Sequence, residues 1–426
     1  MNLLVIGSGG REHALVWKLA QSKIVKKIYC APGNPGIAML AECVSIKASD
    51  IPSLKNFALK NNIALTVVGP EQPLVAGIVD EFEAAGLKIF GPSKAASQLE
   101  GSKVFAKQFM ERHNIPTAGS VAFTKAEYKE AKRFARDALF PLVVKADGLA
   151  AGKGVTVCHT RLELSKAIDE CLKHGVFADA GASIVIEEFM EGIEASIFVL
   201  TDGDHYIILS PAQDHKRIFD NDEGKNTGGM GAYALAPIIG EHNLGQIEKS
   251  IIIPTLKGMN SEGIPYRGCL YVGLMMTKTG AKVVEYNCRF GDPETQVILP
   301  LLEDDLAKIM LEIANGKLEH TKATLKQQYA VCVVLASGGY PDSYKAGKKI
   351  SGISKAEQQP NTIVFHAGTT MERNTLVTSG GRVLGVTSLG DTLKETIEQT
   401  YQAVEMIQFD DMHFRRDIGR KGLFHI

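Results

Sequence analysis

Short apolar runs alternate with amphipathic stretches over the first hundred residues. Leu3–Ile6, Ile28–Ala31, Leu65–Val68 and Leu87–Phe90 read as buried strands, and Glu12–Gln21, Ile51–Lys60 and Pro73–Ala85 as helices. This alternation predicts an open parallel sheet with helices on its faces, which binds ligands outside the carboxyl ends of its strands. Glycine and proline gather at those ends, in Gly7-Ser8-Gly9-Gly10, Ala31-Pro32-Gly33-Asn34-Pro35-Gly36, Gly69-Pro70-Glu71 and Gly91-Pro92-Ser93. Four loops are therefore expected along one rim.

From about residue 103 the texture changes to strand pairs joined by glycine-rich turns. Helices are expected near Lys103–His113, Lys125–Ala138, Leu162–His174, Glu241–Glu262 and Asp304–Ala314. A third stretch, from about Ala330, is rich in β-branched residues and glycine and closes with a helix near Thr392–Ile407. With 426 residues, several domains are expected rather than one core.

The composition, 45% hydrophobic and 22% charged, is that of an ordinary globular protein. A net charge of −1 supplies no field for a nucleic-acid backbone or an anionic membrane, which favours small-molecule partners. Seven scattered cysteines form no close CxxC pair, and most fit buried thiols in a reducing cytoplasm. The start, Met1 to Ile6, lacks a basic segment and meets glycine early, so no signal peptide is expected, and no apolar run approaches the length of a membrane span.

Five segments carry candidate chemistry. The loop Gly7-Ser8-Gly9-Gly10 begins like a dinucleotide fingerprint, but Glu12 stands at the third glycine position and no acidic residue closes a strand about 20 residues on, which argues against a nicotinamide cofactor. Its backbone N–H groups still suit a phosphate at a helix N-terminus. The run from Pro141 to Val157 places Lys145 on a strand before Gly148, Gly152, Lys153 and Gly154, the pattern of a hairpin flap over polyphosphate; a solvated hairpin with surface lysines is the alternative. The strand Ser183–Ile186 leads into Glu187, Glu188, Phe189 and Met190, with Glu194 beyond, an order that suits an adenosine-binding linker. In Val283–Gln296, Glu285 and Asn287 fall two apart on one strand face, a fit to magnesium, and Arg289 shares that face if the strand persists. The glycine-rich run from Gln213 to Tyr233 reads as an active-site loop, with His215 a hydrogen-bonding residue rather than a metal ligand.

In order, these segments resemble the phosphoribosylamine–glycine ligase (glycinamide ribonucleotide synthetase) family of the ATP-grasp superfamily, over essentially the whole chain. The resemblance rests on Gly9-Gly10-Arg11-Glu12-His13-Ala14, Pro32-Gly33-Asn34-Pro35-Gly36, Gly69-Pro70-Glu71, Leu99-Glu100-Gly101-Ser102-Lys103, Gln213-Asp214-His215-Lys216-Arg217 and Arg289-Phe290-Gly291-Asp292-Pro293-Glu294. One departure stands out: where the family shows Gly-Pro-Asn-Thr, this chain has Gly224-Lys225-Asn226-Thr227.

The resemblance implies an α/β and α+β multidomain protein. Its pieces are an N-terminal open parallel α/β substrate-binding domain over 1–102, an ATP-grasp body over 103–327 with a mobile lid at about 120–190, and a C-terminal β-rich domain over 328–426. It implies ATP as co-substrate, Mg2+ or Mn2+ on Glu285 and Asn287, and a cytoplasmic monomer that joins glycine to 5-phosphoribosylamine. Lys103, Lys145 and the flap would take the phosphates. Glu187, Glu188, Glu194 and the backbone at Phe189 and Met190 would take adenosine. Arg289 and Asp214 would act at the reacting centre, Asp214 on the glycine ammonium or the incoming amine, while Gly9, Gly10, Gly33, Asn34, Pro70 and Glu71 line the sugar-phosphate site. Two rivals are a different ATP-grasp ligase or carboxylase and, less favoured, a nicotinamide-dependent oxidoreductase.

Overall fold

The computed structural model describes residues 1–149, 154–174, 176 and 182–424. The first hundred residues form a five-stranded, wholly parallel sheet of β1 (Asn2–Gly7), β2 (Lys27–Pro32), β3 (Glu42–Cys43), β4 (Ile63–Val68) and β5 (Ile89–Phe90), in the order β3-β2-β1-β4-β5. The order reverses at β1, so the loops after β1 and β4 flank the crevice where such sheets bind ligands. Leu3, Val5, Leu65 and Val67 bury one face of the sheet, and Leu4, Ile6 and Val68 the other. The helix expected over Pro73–Ala85 is two, Glu71–Ala76 and Ile78–Ala84. The break is at Gly77, whose φ of 98° lies outside the helical region.

A second, separate sheet holds β6 (Ser120–Thr124), β7 (Leu142–Ala146), β8 (Val155–Cys158) and β9 (Ser183–Glu188) in the antiparallel order β6-β9-β7-β8. It has its own core, in which Phe123, Val144, Ile184 and Ile186 meet Ala131, Leu164 and Ile168 from two covering helices. This sheet lies within the stretch of about 120–190 for which a lid is expected.

The body is built on one antiparallel sheet of ten strands. Its first members are β10 (Ile193–Thr201), β11 (Tyr206–Ile208) and β12 (Ala212–Asp214). A hairpin of β13 (Arg217–Phe219) and β14 (Glu223–Asn226) projects from it before β15 (Gly231–Ala234), β16 (Gly268–Thr277) and β17 (Gly280–Asn287). The C-terminal stretch adds β18 (Tyr329–Ser337) and β19 (Thr362–His366), a small hairpin of β20 (Thr369–Glu372) and β21 (Thr375–Thr378), then β22 (Arg382–Gly390) and β23 (Met412–His413). The main path is β17-β16-β10-β12-β15-β18-β22-β19, so β15 pairs with β18 and the sheet runs unbroken past residue 328. The helical stretch expected over Glu241–Glu262 is interrupted by a widened turn at Glu248–Ile252, just before Pro254, which has no N–H to give to the preceding turn.

Glu12 decides the shape of the first crevice. Its carboxylate accepts from the Gly9 N–H at 2.6 Å and pairs with Arg11 at 2.6 Å, standing over the ends of both β1 and β4. A Cβ on Gly69 would lie 2.1 Å from Glu12 Oε1. Gly69→Ala is therefore expected to cost about 1–3 kcal/mol through overpacking. Urea unfolding measures it; an unchanged midpoint would mean that Glu12 has room to move.

Candidate active site

The site is organised around β17. Glu285 and Asn287 pair across the ladder with Gly273 and Tyr271 of β16. Burial alternates along the strand: Tyr286, Cys288 and Phe290 are buried while Glu285, Asn287 and Arg289 are only partly so, the period-two pattern continuing beyond the last paired residue. Tyr286 anchors the inner face with a 2.7 Å hydrogen bond to Thr255. Gly273 gives Glu285 its space, since a Cβ there would stand 3.3 Å from Glu285 Cγ. The side chains of Glu285 and Asn287 find no hydrogen-bond partner among the described residues, while the backbone around them is tied down by Lys145 on the Val284 carbonyl and Glu100 on the Cys288 N–H. Two hard oxygen donors on one face with no other partner fit a divalent cation that completes its shell with phosphate and water.

The lid reaches this strand through a buried ion cluster. Glu187, at the end of β9, pairs with Lys145 of β7 at 2.8 Å and with Lys107 at 3.3 Å, and all three are buried. Lys145 also donates to the Val284 carbonyl at 3.0 Å, one residue before Glu285. Lys107, on the helix Lys103–Arg112, donates to Thr117 Oγ1 at 2.8 Å, and that hydroxyl donates to the Val283 carbonyl at 2.7 Å. Burial lowers the Lys107 pKa to about 8 against the opposing pull of Glu187. At the flap, Lys103 donates to the Gly148 carbonyl at 3.1 Å and Ser102 to the Asp147 carboxylate at 3.0 Å. Gly152 and Lys153 lie outside the described residues; Gly154 is buried where the flap rejoins β8. Glu188 accepts from the Gly119 N–H at 3.1 Å, Phe189 is exposed and Met190 half-buried.

On the other side of β17 lies a concentration of carboxylates. Lys216 bridges Glu194 of β10 at 2.8 Å and Asp214 of β12 at 3.3 Å. Burial raises the Asp214 pKa although Lys216 opposes it, and Glu194 and Glu285 add to the rise. Glu294 is 3% exposed, and burial, then Asp214, push its pKa up to about 7. Arg289 meets Glu71 at 3.2 Å and Glu100 at 3.3 Å. Burial works against its charge, but the two carboxylates outweigh that and raise its pKa. They respond differently: burial raises Glu100, whereas for Glu71 Arg289 and Arg11 overcome burial and lower it.

The N-terminal loops stand close by, partly committed to their own structure. The Asn34 amide donates to the carbonyls of Ser8 at 2.8 Å and His366 at 2.9 Å, and its oxygen accepts from the Ile37 N–H at 2.9 Å. Gly10 lies against Gln296, which itself donates to Asp292 at 2.8 Å. Gly33 turns at a φ of 75°, and Pro70 caps the helix that begins at Glu71. The structure thus brings Glu71 to Arg289 and both to β17.

No local pattern assigns a role to Lys107, Glu100, Lys216, Glu294 or Arg11, although the last four stand inside the motifs that carried the family resemblance. Nothing local marks Lys107, which acts through Glu187, 80 residues away in sequence. His215 corrects an expectation. It is fully buried and neither ring nitrogen has a partner among the described residues, because β12 turns the ring inward beside Tyr233; burial lowers its pKa to about 3, so the ring is neutral. At the departure from the family pattern, Lys225 lies on β14 and its ammonium meets Asp342 at 2.7 Å in solvent.

Glu294 yields a pH prediction. In the folded state it keeps its proton up to about pH 7, against 4.5 in the ordinary group, so its ionisation opposes folding as pH rises through that window and the loss is complete above it. Glu294→Gln is expected to gain stability over the parent near pH 8 and to match it near pH 4. Equal shifts in urea midpoint at both values would count against a protonated Glu294.

Known proteins resemble this chain over nearly its whole length. Family profiles described as phosphoribosylglycinamide synthetase match in three parts: the N domain over residues 1–100, the ATP-grasp (A) domain over 101–295 and the C domain over 330–421. The phosphoribosylamine–glycine ligase of Caldanaerobacter subterraneus is 50% identical over 98% of this chain and 99% of its own, and that of Chlorobaculum tepidum 50% identical over 99% and 100%. The solved phosphoribosylamine–glycine ligase of Thermotoga maritima superposes with a TM-score of 0.84 at 33% identity, covering 98% of this chain and all of that one. A biotin carboxylase from Campylobacter jejuni, solved as an ATP complex, shares the fold alone, with a TM-score of 0.76 at 15% identity over 100% of this chain and 94% of that one. A parallel N-terminal sheet, a lid wired to an acidic strand and matches spanning nearly every residue lead to one conclusion: the chain belongs to the phosphoribosylglycinamide synthetase family of ATP-grasp ligases.

Proposed function

We propose that the chain joins glycine to 5-phosphoribosylamine, giving glycinamide ribonucleotide while ATP is converted to ADP and phosphate. Amide formation needs the glycine carboxylate oxygen made into a leaving group. The carboxylate attacks the γ-phosphorus of ATP, ADP leaves, and glycyl phosphate results. The amine nitrogen of phosphoribosylamine then attacks the glycyl carbonyl carbon, phosphate departs with the C–O bonding pair, and the nitrogen loses a proton. The observation that carries this reading is the Lys145 contact with the Val284 carbonyl, which sets a phosphate-binding lysine of the lid beside the acidic face of β17.

Each residue's part follows from its place. Lys145 and Lys103 receive the polyphosphate beneath the flap that starts at Gly148 and ends at Gly154; the assignments of Gly152 and Lys153 rest on the sequence. Glu187 keeps Lys145 oriented, and Glu188, Glu194 and the backbone at Phe189 and Met190 take adenosine. Glu285 and Asn287 would hold Mg2+, with Mn2+ an alternative, and a divalent cation there would neutralise charge on the phosphates. Arg289 steadies the transferring phosphoryl oxygens, fixed for that task by Glu71 and Glu100. Asp214 receives the glycine ammonium. For the sugar phosphate we infer backbone contacts from Gly9, Gly10, Gly33, Pro70 and the turn at Asn34, whose side chain is already bonded within the fold. Closing the lid keeps water from the acyl phosphate.

We divide the chain at about 102, with the lid at 120–190, on the strength of the separate N-terminal and lid sheets, and at about 327 on the family profiles, since the main sheet runs across that point. We read the enzyme as a cytoplasmic monomer, as the family resemblance implies; its cysteines are free thiols, and no helix among the described residues is long and apolar enough to cross a membrane. The likeness to biotin carboxylases keeps one rival, a carboxylase in which bicarbonate is the phosphoryl acceptor.

ADP release measured with ATP, glycine and freshly made phosphoribosylamine, each omitted in turn, tests the reaction. It should need all three, and release driven by bicarbonate without glycine would favour the rival. Glu285→Ala is expected to lower kcat by about 10²–10³-fold. Full turnover in that variant would refute the metal assignment.

A further inference from the structure

The segment that carries Asp214 and Lys216 is held in place from the far end of the chain. It runs from β12 through the β13–β14 hairpin to β15, and residues 413–422 are laced along it. The Arg415 side chain is fully buried. Its Nη1 donates to the Arg217 carbonyl at 3.1 Å and to the Asp222 carboxylate at 3.0 Å, while Nε and Nη2 form a fork on Asp417 at 2.8 and 2.7 Å. Asp417 accepts in turn from the Asn221 N–H at 2.8 Å, so the turn between β13 and β14 is clamped from two sides. Lys421 makes a second ion pair with Asp222. Behind the clamp, the Tyr401 hydroxyl donates to the Arg415 carbonyl at 2.8 Å and accepts from the Ile418 N–H at 3.0 Å, which fixes it to the helix Leu393–Val404.

An apolar side chain would fill the Arg415 site without the cost of taking a charge out of water. What the guanidinium adds is a fixed position for the Arg217 carbonyl, one residue after Lys216. The Lys216 carbonyl accepts from both the N–H and the hydroxyl of Thr227 at 2.8 Å, and the His215 N–H before it donates to the Gly231 carbonyl at 2.9 Å, so the strand is held on either side of that lysine and its ammonium is aimed at Glu194 and Asp214.

We propose that Arg415 is a positioning residue for the reaction: by fixing Arg217 and the turn at Asp222 it sets where Lys216 stands, and hence where Asp214 is presented to glycine. The inference rests on the reading of Asp214 as the glycine contact. Arg415→Met, Arg415→Lys, Asp214→Asn and the double variant Arg415→Met with Asp214→Asn are compared as full chains, by steady-state kinetics well below their melting temperatures.

Arg415→Met is expected to raise KM for glycine by about tenfold, as a small displacement of a binding group does, and to leave KM for phosphoribosylamine unchanged. Arg415→Lys keeps the charge and recovers part of the loss. The double variant has a glycine KM no higher than Asp214→Asn alone, because both changes act on one contact. A glycine KM that rises in Asp214→Asn but not in Arg415→Met, whose only change is a lower Tm, overturns the positioning role. A glycine KM unmoved by Asp214→Asn overturns the site assignment and this inference with it. Should Arg415→Met fail to fold, Asp222→Asn removes the part-exposed partner instead and is judged by the same glycine KM.

Discussion

One carboxylate between two lysines governs the geometry of this site. Glu187 is nearly inaccessible, yet its partners Lys107 and Lys145 bring two positive charges to it, and each lysine is also bonded, directly or through Thr117, to a carbonyl of β17. Buried charge is tolerated only where partners compensate it, and here compensation is incomplete. The surplus positive charge lies between the lid and the strand that bears Glu285 and Asn287. In the proposed function a polyphosphate would supply the missing negative charge at the point where the two sheets meet, and nucleotide binding would then be coupled to the position of the second sheet by electrostatics.

The opposite balance holds a few residues further along β17. Among the described residues Glu194, Asp214, Glu285 and Glu294 outnumber Lys216, which pairs with both Glu194 and Asp214, while Arg289 is taken by Glu71 and Glu100. The raised pKa values of Asp214 and Glu294 express this crowding together with burial. A site positive beneath the lid and negative beside it suits a reaction that brings together a triphosphate, a cation and an ammonium group. The same residues would be poorly chosen for stability alone, since apolar packing would avoid the desolvation cost.

The C-terminal strands belong to this machinery as well as to their own core. Pairing of β15 with β18 makes the body and the C-terminal stretch one sheet, and Arg382 of β22 donates to the carbonyls of Gly228 and Asp292, joining the active-site loop to the turn before Glu294. Together with the clamp at Arg415, these contacts hold the polar loop from behind. Such a loop carries few apolar residues and has little means of fixing itself.

Local pattern determined the elements and much of the chemistry. Periodicity placed β1, β4 and the helix Ile51–Lys60, and the two-residue spacing placed Glu285, Asn287 and Arg289 on one face of β17, because alternation along a strand is a property of the backbone itself. The ordered motifs were specific enough to point to the family. Tertiary structure decided what no local pattern encodes. It committed Glu187 to two lysines, bonded the Asn34 side chain within the fold, left His215 in the interior with no partner among the described residues and brought Arg415 to the loop of Lys216. Each of these depends on which distant segment fills the space beside a side chain, and spacing along the chain carries no record of that.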